Sequence, residues 1–445
     1  MLVPWLTLFD LRNIRANFLA PIKINPKYKS DDFVILIPIW GDIKYLTNIN
    51  FLKNYPGKVV FCTTYGESDN FYKDLNVLTK KYHFEIMKFD FGDTVKNPWK
   101  IYAQALVTHD LLLKKSLKLA NAKYVIFIDA DTQCRTDIRI LSGTIEREGF
   151  DLASLRVMPT RRKTVMENLQ FIEYHIAMKS RKIYPWLTSG AAMIGKREVL
   201  SRIMGEHSLF FNGGDIEIGK LAYLLGYNVG HIPVTFYTDV PPTFYRWFKQ
   251  RFSWFCGAFR HSIINWRTNL TTPTYLVYFT LLIFLMLPFK VVEIFNHLEI
   301  FPYLIAFYIA FNFVSNWEIK SWYFFLFPFY ALFQVLILPW CGIYRYIKTV
   351  SHTGNWGRIT INLKRNLQWY QHLKHWSTTF VIAFMVLVTV STTVQIYIFS
   401  RPMEPADIIY IVWKNKSKAV DSVKNQFTNI ANAMTAQIYI TNERR

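Results

Sequence analysis

The residues best suited to chemistry are Asp129 and Asp131, which directly follow the apolar run 125–128. A run of branched and aromatic side chains is typical of a buried strand in a parallel sheet. The two carboxylates would then lie at the carboxyl end of the strand, where open α/β sheets bind ligands. There they suit a divalent cation that also binds diphosphate oxygens. Two aspartates after a strand are equally an ordinary loop start or helix cap, so other motifs must decide.

A third carboxylate, Asp215, follows Gly213 and Gly214 and begins an apolar segment of helical spacing. Asp is a good helix N-cap, and capping is one interpretation of this position. The other is catalytic, because a carboxylate placed by a glycine loop at a helix start can take a proton from a hydroxyl nucleophile. Both interpretations remain open from the residues alone.

The segment 240–257 interleaves aromatic and basic side chains at helical spacing and includes Gln250, Arg251 and Trp254. Aromatic faces beside cationic or amide groups are a common way to hold a sugar ring. The same pattern suits an amphipathic helix at the level of lipid headgroups, and both roles are compatible.

Apolar strands must position these groups. The run 33–38 ends at Pro38, and the run 58–64 leads into a small and acidic loop from Thr63 to Glu67. Together with the strand before Asp129, they form a strand and helix alternation. We therefore expect an α/β fold with a mostly parallel sheet and helices on both faces. No glycine-rich phosphate loop follows any of these strands, which argues against a dinucleotide enzyme or a kinase.

Composition points to a membrane. The chain is 51% hydrophobic and 17% aromatic, and its apolar residues concentrate between about 274 and 400. Most apolar stretches there approach the roughly 20 residues that a spanning helix needs. These stretches are 275–295, 301–314, 322–344 and 378–399. The second stretch is short and either crosses the membrane or does not. The side of the membrane on which the loop near Arg358 lies depends on this, and nearby basic residues favour the cytosolic side.

The net charge of +21 is better explained by basic residues that flank membrane segments than by nucleic acid, since no nucleic-acid-binding signature is present. Four dispersed cysteines predict reduced thiols in a cytosol-facing domain. The predicted organisation has five parts, with no function assigned to the last. They are an N-terminal amphipathic segment 1–30, which could equally be a packing helix; a cytosolic domain 31–240; interfacial helices 241–273; transmembrane helices 274–400 with a loop near 350–360; and a polar tail 401–445.

Taken in order, these residues resemble a membrane-integrated family 2 glycosyltransferase over about residues 33–360. The resemblance comprises a strand ending at Pro38, an Asp-x-Asp at Asp129 and Asp131, Ser189-Gly190, the acidic-loop Asp215, and a Gln-Arg-x-x-Trp box at Gln250, Arg251 and Trp254. The segment 339–349, followed by Trp356-Gly-Arg358, is similar to the gating segment of the hyaluronan and chitin-oligosaccharide synthase group.

The resemblance implies an A-type (GT-A) glycosyltransferase domain, interfacial helices and a C-terminal helical transmembrane region. It implies that Asp131, helped by Asp129, holds Mg²⁺ or Mn²⁺ against a UDP-sugar, with Pro38 and the loop from Thr63 to Glu67 facing the uracil. Asp215 would be the catalytic base of an inverting transfer. Lys100 would contact phosphate, unless it is a solvated surface lysine. Gln250, Arg251 and Trp254 would contact donor or acceptor. Trp356 and Arg358 would close over the nucleotide.

Three departures from the family pattern bear on substrate and processivity. Ser253 stands where the box usually has Arg, the acidic loop is Gly-Gly-Asp, and the gating motif lacks its Thr. We expect a multi-pass plasma-membrane enzyme with a cytosolic catalytic domain that elongates and exports a polysaccharide, as hyaluronan, chitin or cellulose synthases do. The alternative is a non-processive enzyme that glycosylates a lipid. A transporter or channel would leave the acidic clusters unexplained, and no nucleic-acid partner is expected.

Overall fold

A computed structural model describes residues 14–90, 100–269 and 301–361 of the chain, all of which lie in one compact unit, Met1–Val386. Several predictions lie outside these residues. They concern residues 1–13 of the N-terminal segment, the spans 275–295 and 378–399, and the tail 401–445. The side chain of Lys100 is likewise outside the description, although its backbone begins a helix.

Eight strands form one mixed sheet, in the order β3-β2-β1-β4-β7-β6-β8-β5. The pairs β1–β2, β1–β4, β2–β3 and β6–β8 are parallel, whereas β7 runs antiparallel to both β4 and β6, and β5 runs antiparallel to β8. The predicted α/β class is therefore confirmed. The strands are β1 Phe33–Pro38, β2 Val59–Thr64, β3 Glu85–Phe89, β4 Tyr124–Ile128, β5 Gln133–Cys134, β6 Leu152–Pro159, β7 Ala192–Lys196 and β8 Val229–Thr238.

Helices cover both faces of the sheet because the strands are apolar on both sides. In β1, Ile35 and Ile37 belong to one core with residues of 138–145, and Leu36 belongs to the other with residues of 111–117 and 199–204. The helices are α1 Ile49–Leu52, α2 Asp69–Tyr82, α3 Lys100–Leu119, α4 Arg139–Arg147, α5 Val165–Ile183, α6 Arg197–Glu206, α7 Gly214–Leu224, α8 Phe244–Phe259, α9 Trp266–Asn269, α10 Phe301–Ser315, α11 Phe327–Leu336 and α12 Leu338–Thr353. One π-helical turn, Arg260–Ile264, follows α8.

The predicted interfacial helix corresponds to α8, which packs against the C-terminal helices. Trp247 is fully buried, and its Nε1 donates to the Tyr330 hydroxyl of α11 at 2.8 Å. Gly342 of α12 lies against the backbone of Phe255, where an added Cβ would stand 2.6 Å from a carbonyl carbon. Glycine at this position therefore allows the two helices to approach closely.

Within the described residues, one helix is long and apolar enough to cross a membrane. It is the 27-residue stretch Phe327–Thr353, formed by α11 and α12 in succession. The predicted span 322–344 is shifted, since residues Trp322–Phe325 form a 3₁₀ turn and the helix continues beyond Tyr344. The predicted span 301–314 is the shorter apolar helix α10. Large apolar side chains such as Tyr303, Phe329 and Trp340 are exposed on these helices.

Candidate active site

The carboxyl ends of six strands, β1, β2, β3, β4, β6 and β8, lie at one edge of the sheet. β1, β2 and β4 are parallel, and β6 and β8 run in the same direction because β7 is antiparallel to both β4 and β6. The antiparallel strand β7 begins at this same edge, just after Ser189 and Gly190. Residues far apart in the chain are therefore brought to one rim, the place where such sheets bind ligands.

Asp131 lies at this rim between β4 and β8. Its Oδ1 accepts hydrogen bonds from the hydroxyls of Thr238 at 3.1 Å and Thr132 at 3.2 Å. Burial and the nearby charge of Asp129 raise the pKa of Asp131 to about 6, and Asp239 adds to the effect. A cation beside Asp131 would offset the burial and the neighbouring negative charge that raise its pKa.

His109, on α3, adds a group at the rim that the motifs did not reveal. Its Nε2 lies 3.6 Å from Asp129 Oδ1, and its Nδ1 lies 3.2 Å from Asp110 Oδ1. Burial lowers the pKa of His109, but the hydrogen bonds to Asp110 and Asp129 outweigh it and raise the pKa to about 10. The imidazolium thus holds the two acids together. A His-Asp pair inside a helix carries no sequence signal that would have identified it.

Asp215 is the second residue of α7 and does not cap it. The cap position belongs to Gly213, which has a left-handed conformation with φ 77° and no side-chain hydrogen bond. The Asp215 carboxylate instead crosses to the start of β7, where its Oδ2 accepts from the backbone N–H of Gly190 at 2.9 Å. Burial raises the pKa of Asp215, against the lowering effect of that N–H and of the charge of Arg181.

The two acidic motifs converge on consecutive residues of the chain. Gly190 donates to the Asp215 carboxylate, and the carbonyl of Ala191 accepts from the backbone N–H of Asp129 at 3.1 Å. Adjacent Cα atoms are about 3.8 Å apart, so Asp129 and Asp215 flank one short stretch before β7. The backbone of Asp129 and the carboxylate of Asp215 thus bind neighbouring residues, while their action on one ligand remains a prediction.

Glycine is required at the start of α7 for a steric reason. A Cβ on Gly214 would lie 2.2 Å from Asp110 Oδ2, which is shorter than any contact between non-bonded heavy atoms. Asp110 itself is buried and bound to His109. The helix that carries Asp215 thus rests directly on the acid that holds His109 against Asp129, which links the two halves of the site.

Glu217 lies near Asp215 in sequence but faces a different set of partners. It is fully buried and forms an ion pair with Arg260, and Ser208 donates to it through both its backbone N–H at 2.6 Å and its hydroxyl at 2.7 Å. Although burial raises the pKa of Glu217, the charge of Arg260 lowers it to about 2. The role of Glu217 in the structure is therefore to hold α7 to the π turn after α8.

Arg260 also fixes the segment 354–359, which carries the gating-type motif. Its guanidinium donates to the carbonyls of Gly213 at 3.1 Å and Gly357 at 3.3 Å. Asn265 holds Gly357 as well, through an Nδ2 hydrogen bond of 2.9 Å. Trp356 is half exposed, and the Arg358 guanidinium lies 5.6 Å from its ring centroid. Their closure over a nucleotide remains a prediction, but one buried arginine ties their segment to the Asp215 loop.

The Gln-Arg-x-x-Trp box divides into a structural part and an accessible part. Arg251 is 1% exposed, and its Nη2 donates to Glu173 at 2.6 Å while its Nη1 donates to Gln250 at 2.9 Å. A contact between Arg251 and a diphosphate would require this buried ion pair to break, so the structure does not favour the predicted donor contact. Trp254 is 46% exposed, stacks on Arg251 at 3.8 Å, and lies 6.4 Å from the Tyr174 ring.

The residues predicted to face the base lie at the ends of β1 and β2. Pro38 is paired with Cys62, and Glu67 accepts from the Gly41 N–H at 2.7 Å and from the Thr64 hydroxyl at 3.0 Å. This arrangement joins the two loops. Thr63, the first residue of the predicted loop, is fully buried at the end of β2, and the role of the loop remains a prediction. The roles of Pro38 and Glu67 remain predictions.

The residues at the rim suit Mg²⁺ or Mn²⁺ without forming a complete cage. No cluster of three or more His, Cys, Asp or Glu side chains that could hold a metal occurs in the part of the chain that the structure describes. Asp129 and Asp131 supply hard oxygen donors, and the raised pKa of Asp131 reflects negative charge that a cation would offset. Mg²⁺ is typically held by one or two carboxylates together with substrate phosphates, so this donor set fits.

The fold and the site define an α/β domain with a carboxylate pair at the sheet rim and a third carboxylate, Asp215, bound to Gly190 at the start of β7. Residues 124–344, just under half of the chain, match the model of the family described as glycosyl transferase family group 2. That segment, which contains Asp129, Asp131, Asp215 and the Gln250 box, is therefore similar to family 2 glycosyltransferases. No curated protein matches the chain.

Two solved structures are distantly similar. A mannosyltransferase from Pyrobaculum calidifontis, in complex with GDP-Man and Mn²⁺, is 11% identical, with 86% of this chain and 94% of that chain covered and a TM-score of 0.41. TarS of S. aureus is 15% identical, with 51% and 40% covered and a TM-score of 0.33. Neither likeness distinguishes a sugar, an acceptor or a synthase subgroup.

Proposed function

We propose that this chain is an inverting, metal-dependent glycosyltransferase that moves a sugar from a UDP-sugar to an acceptor at a membrane. The observation that carries the proposal is that the Asp215 carboxylate and the backbone N–H of Asp129 bind the adjacent residues Gly190 and Ala191. A donor held by one carboxylate motif would present its anomeric carbon to a nucleophile activated by the other. The family match over residues 124–344 supports the reaction class.

Asp131 and Asp129 are the residues that would hold Mg²⁺ or Mn²⁺. When bound, such a cation offsets the negative charge that develops on a departing nucleoside diphosphate. The hydroxyls of Thr238 and Thr132 orient Asp131, and His109 orients Asp129. These contacts fix both carboxylates before a donor arrives, which lowers the cost of assembling the site.

Asp215 is the candidate general base. Its burial raises its pKa and so makes it a better proton acceptor, while the Gly190 N–H holds one carboxylate oxygen in place. In this proposal the carboxylate takes the proton of the acceptor hydroxyl. Attack from this side on an α-linked donor would give a β-linked product.

For the acceptor, we propose a growing polysaccharide that is elongated and exported, as in hyaluronan, chitin or cellulose synthases. Trp254 offers an accessible aromatic face beside Tyr174, and the apolar helix Phe327–Thr353 packs directly against the helix that carries Trp254. A multi-pass plasma-membrane enzyme with a cytosolic catalytic domain would couple synthesis to export.

The second candidate is transfer to a single lipid acceptor without processive elongation. Two observations favour it. Ser253 replaces the usual arginine of the box, and Arg251 is committed to Glu173 and so does not take over the missing contact. A lipid could reach the site from the exposed apolar side chains of α10 to α12.

The test is a donor screen on the full-length protein in nanodiscs. Nucleoside diphosphate release is measured for UDP-GlcNAc, UDP-GlcA, UDP-glucose and GDP-Man, with and without Mn²⁺, and radiolabelled product is sorted into polymer and lipid extract. We expect Mn²⁺-dependent release with a UDP-sugar, lost in Asp131→Asn and retained in the control Asp74→Asn, which alters an exposed residue of α2. Transfer that persisted in Asp131→Asn at the wild-type rate would contradict the proposed metal site.

A further inference from the structure

The long apolar helix formed by α11 and α12 is attached to the α/β domain at its beginning. Phe327 and Tyr330 belong to one buried cluster with Ile172 of α5. The Tyr330 hydroxyl also donates a hydrogen bond to the Glu173 carboxylate of α5. α5 is part of the domain, since its Met178 packs in the same core as strands β1 and β4. The first turn of the long helix is therefore fixed to the domain that carries the candidate site.

The end of the same helix is attached to the same domain. The Tyr346 ring lies 5.6 Å from the Phe210 ring, and the Tyr346 hydroxyl donates to the carbonyl of Trp356 at 2.8 Å. Just beyond the helix, Asn355 Nδ2 donates to the carbonyl of Ser208 at 2.9 Å. Ser208 and Phe210 lie between α6 and α7 of the domain. Both ends of the helix are therefore bound to one folded unit.

Between its ends, the long helix runs beside α8. Contacts between the two occur in the same order along both, at Trp247–Tyr330, Phe255–Gly342 and Phe259–Tyr346. The two helices are therefore parallel neighbours over most of the length of α8. The 27-residue helix is about 40 Å long at 1.5 Å per residue, and its contacts with the domain extend from its first turn to its last.

These contacts are incompatible with a membrane crossing by this helix. A spanning helix carries one of its ends to the far side of a hydrocarbon core about 30 Å thick. Here both ends are bound to one domain. The neighbouring helix α8 contains Arg246, Lys249 and Arg251, and such charges are rare in helices that cross a membrane. The long helix therefore lies along the domain, and the loop that contains Arg358 is on the same side as the domain.

The side of the long helix that faces away from the domain is apolar. Five large side chains on it are between 43% and 60% exposed: Phe329, Ile337, Trp340, Tyr344 and Ile347. Their separations of eight, three, four and three residues place them on one face of the helix. Phe244 and Phe248 of α8 extend this apolar face, since their rings lie 5.3 Å and 6.1 Å from the Phe333 ring. A contiguous apolar surface of this kind marks a site of interaction.

The charge around the apolar face indicates which partner fits it. Residues 244–259 and 327–353 contain no Asp or Glu, whereas Arg246, Lys249 and Lys348 are exposed. A second copy of this chain, seated face to face, would bring like charges together, which opposes association. A bilayer surface offers hydrocarbon to the aromatic side chains and phosphate groups to the basic ones. Trp and Tyr, represented here by Trp340 and Tyr344, are enriched at that level of the membrane.

We infer that α11 and α12, with α8 beside them, lie flat on the surface of a lipid bilayer and insert the apolar face between its headgroups. The inference rests on the membrane placement in the proposed function and deepens it by stating how the enzyme meets the membrane. It replaces the predicted crossing 322–344. The predicted crossings 275–295 and 378–399 lie outside the described residues and are unaffected. Because α8 also carries Trp254, the candidate acceptor contact is on a helix that itself borders the lipid.

Cysteine labelling in sealed vesicles tests on which side each end of the long helix lies. The full-length protein with Cys341→Ser receives one cysteine, in Lys320→Cys before α11, in Ser351→Cys near the end of α12, or in the reference Asp74→Cys on α2. All three positions are exposed, and the remaining native cysteines are buried. A membrane-impermeant maleimide is added to right-side-out and to inside-out vesicles. We expect all three variants to be labelled only in the vesicle type whose outer surface bears the α/β domain.

Labelling of either helix-end cysteine in the vesicle type opposite to the reference would overturn the inference. Two further exposed positions, Trp322→Cys and Thr360→Cys, repeat the measurement if a first variant fails to fold. They lie beyond the same two ends of the helix, so the same pattern is expected of them.

The depth of the apolar face is the second measurement. A nitroxide is attached in Phe329→Cys, Trp340→Cys and Ile347→Cys, and its collision rates with oxygen and with a water-soluble nickel chelate report depth. For a helix in the plane of the surface, all three labels should be about 5–10 Å deep. A crossing would place position 340, the midpoint of the helix, about 15 Å deep, with the other two positions nearer the two surfaces. The reference Asp74→Cys should be accessible to the chelate.

A maximum of depth at position 340 would overturn the inference. Labels accessible to neither reagent would overturn it as well, because they would show that another part of the chain or a second copy covers the apolar face. Neither measurement uses a nucleotide sugar, so failure of the proposed function has a different signature. It would appear as one-sided labelling and shallow nitroxides in a protein that releases no nucleoside diphosphate.

Discussion

Replacing Gly214 by Ala should disable the site while leaving the fold largely intact. The new Cβ would lie 2.2 Å from Oδ2 of Asp110 and 2.6 Å from its carboxyl carbon. Asp110 cannot withdraw freely, since it is buried and bound to His109, which in turn contacts Asp129. Either the start of α7 moves and carries Asp215 with it, or the Asp110–His109–Asp129 chain shifts.

The magnitude follows from two opposing effects. Overpacking a tight interior contact costs about 1–3 kcal/mol, while alanine in a helix is favoured over glycine by about 1 kcal/mol. We therefore expect a net loss of about 0–2 kcal/mol in the free energy of unfolding. Displacement of catalytic groups by about 1 Å typically reduces rate by about 10²-fold, so activity should fall much more than stability.

Gly205→Ala is the matched control for this variant. Gly205 is in α6, and a Cβ there would meet no atom within 4 Å. We expect unchanged sugar transfer and equal or slightly higher stability. The assay is nucleoside diphosphate release by both variants, together with denaturant unfolding of each. Wild-type activity in Gly214→Ala would show that the contact between Asp110 and α7 does not position Asp215.

Three further predictions concern the surrounding groups. Glu217→Gln leaves Arg260 buried without its partner and should cost about 3–5 kcal/mol, measured by denaturant unfolding, with part recovered in the double variant that adds Arg260→Met. Because Asp131 has a pKa of about 6 and a proton competes with a cation for it, Mn²⁺ affinity should fall about tenfold between pH 7 and pH 5, and titration calorimetry should show no such fall in Asp131→Asn. Gly357→Ala combines a φ of 59° with a Cβ 2.5 Å from Arg260 Cδ, so protease cleavage of the segment 354–359 should accelerate relative to Gly205→Ala.

The strands that build the rim were predictable where apolar residues run without interruption. β1, β2 and β4 are buried on both faces, and each ends close to where its apolar run ends. By contrast, β8 alternates between buried and partly exposed positions and contains His231 and Pro233, so no continuous run marks it. Yet β8 delivers Thr238 to Asp131.

The acidic motifs were recognisable in sequence, but what holds them in place was not. From the sequence, Asp215 could equally have been a helix cap. In the structure its carboxylate instead accepts a hydrogen bond from the Gly190 N–H. His109 lies within a helix, and nothing in the local pattern indicates that its ring reaches Asp129. Arg251 belongs to a functional-looking box, yet tertiary packing commits it to Glu173. Such pairings depend on which helices meet, which the spacing of residues along one helix does not encode.

The most direct test of the central claim, that Asp131 and Asp215 act on one bound donor, compares binding with turnover in Asp215→Asn. The measurement is affinity for a UDP-sugar in the presence of Mn²⁺ alongside the rate of sugar transfer, in the full-length protein. Our account predicts near-wild-type affinity for the UDP-sugar. The rate of transfer should fall by about 10²-fold or more, because the base is lost while the rim is kept. Transfer at the wild-type rate in Asp215→Asn would contradict it.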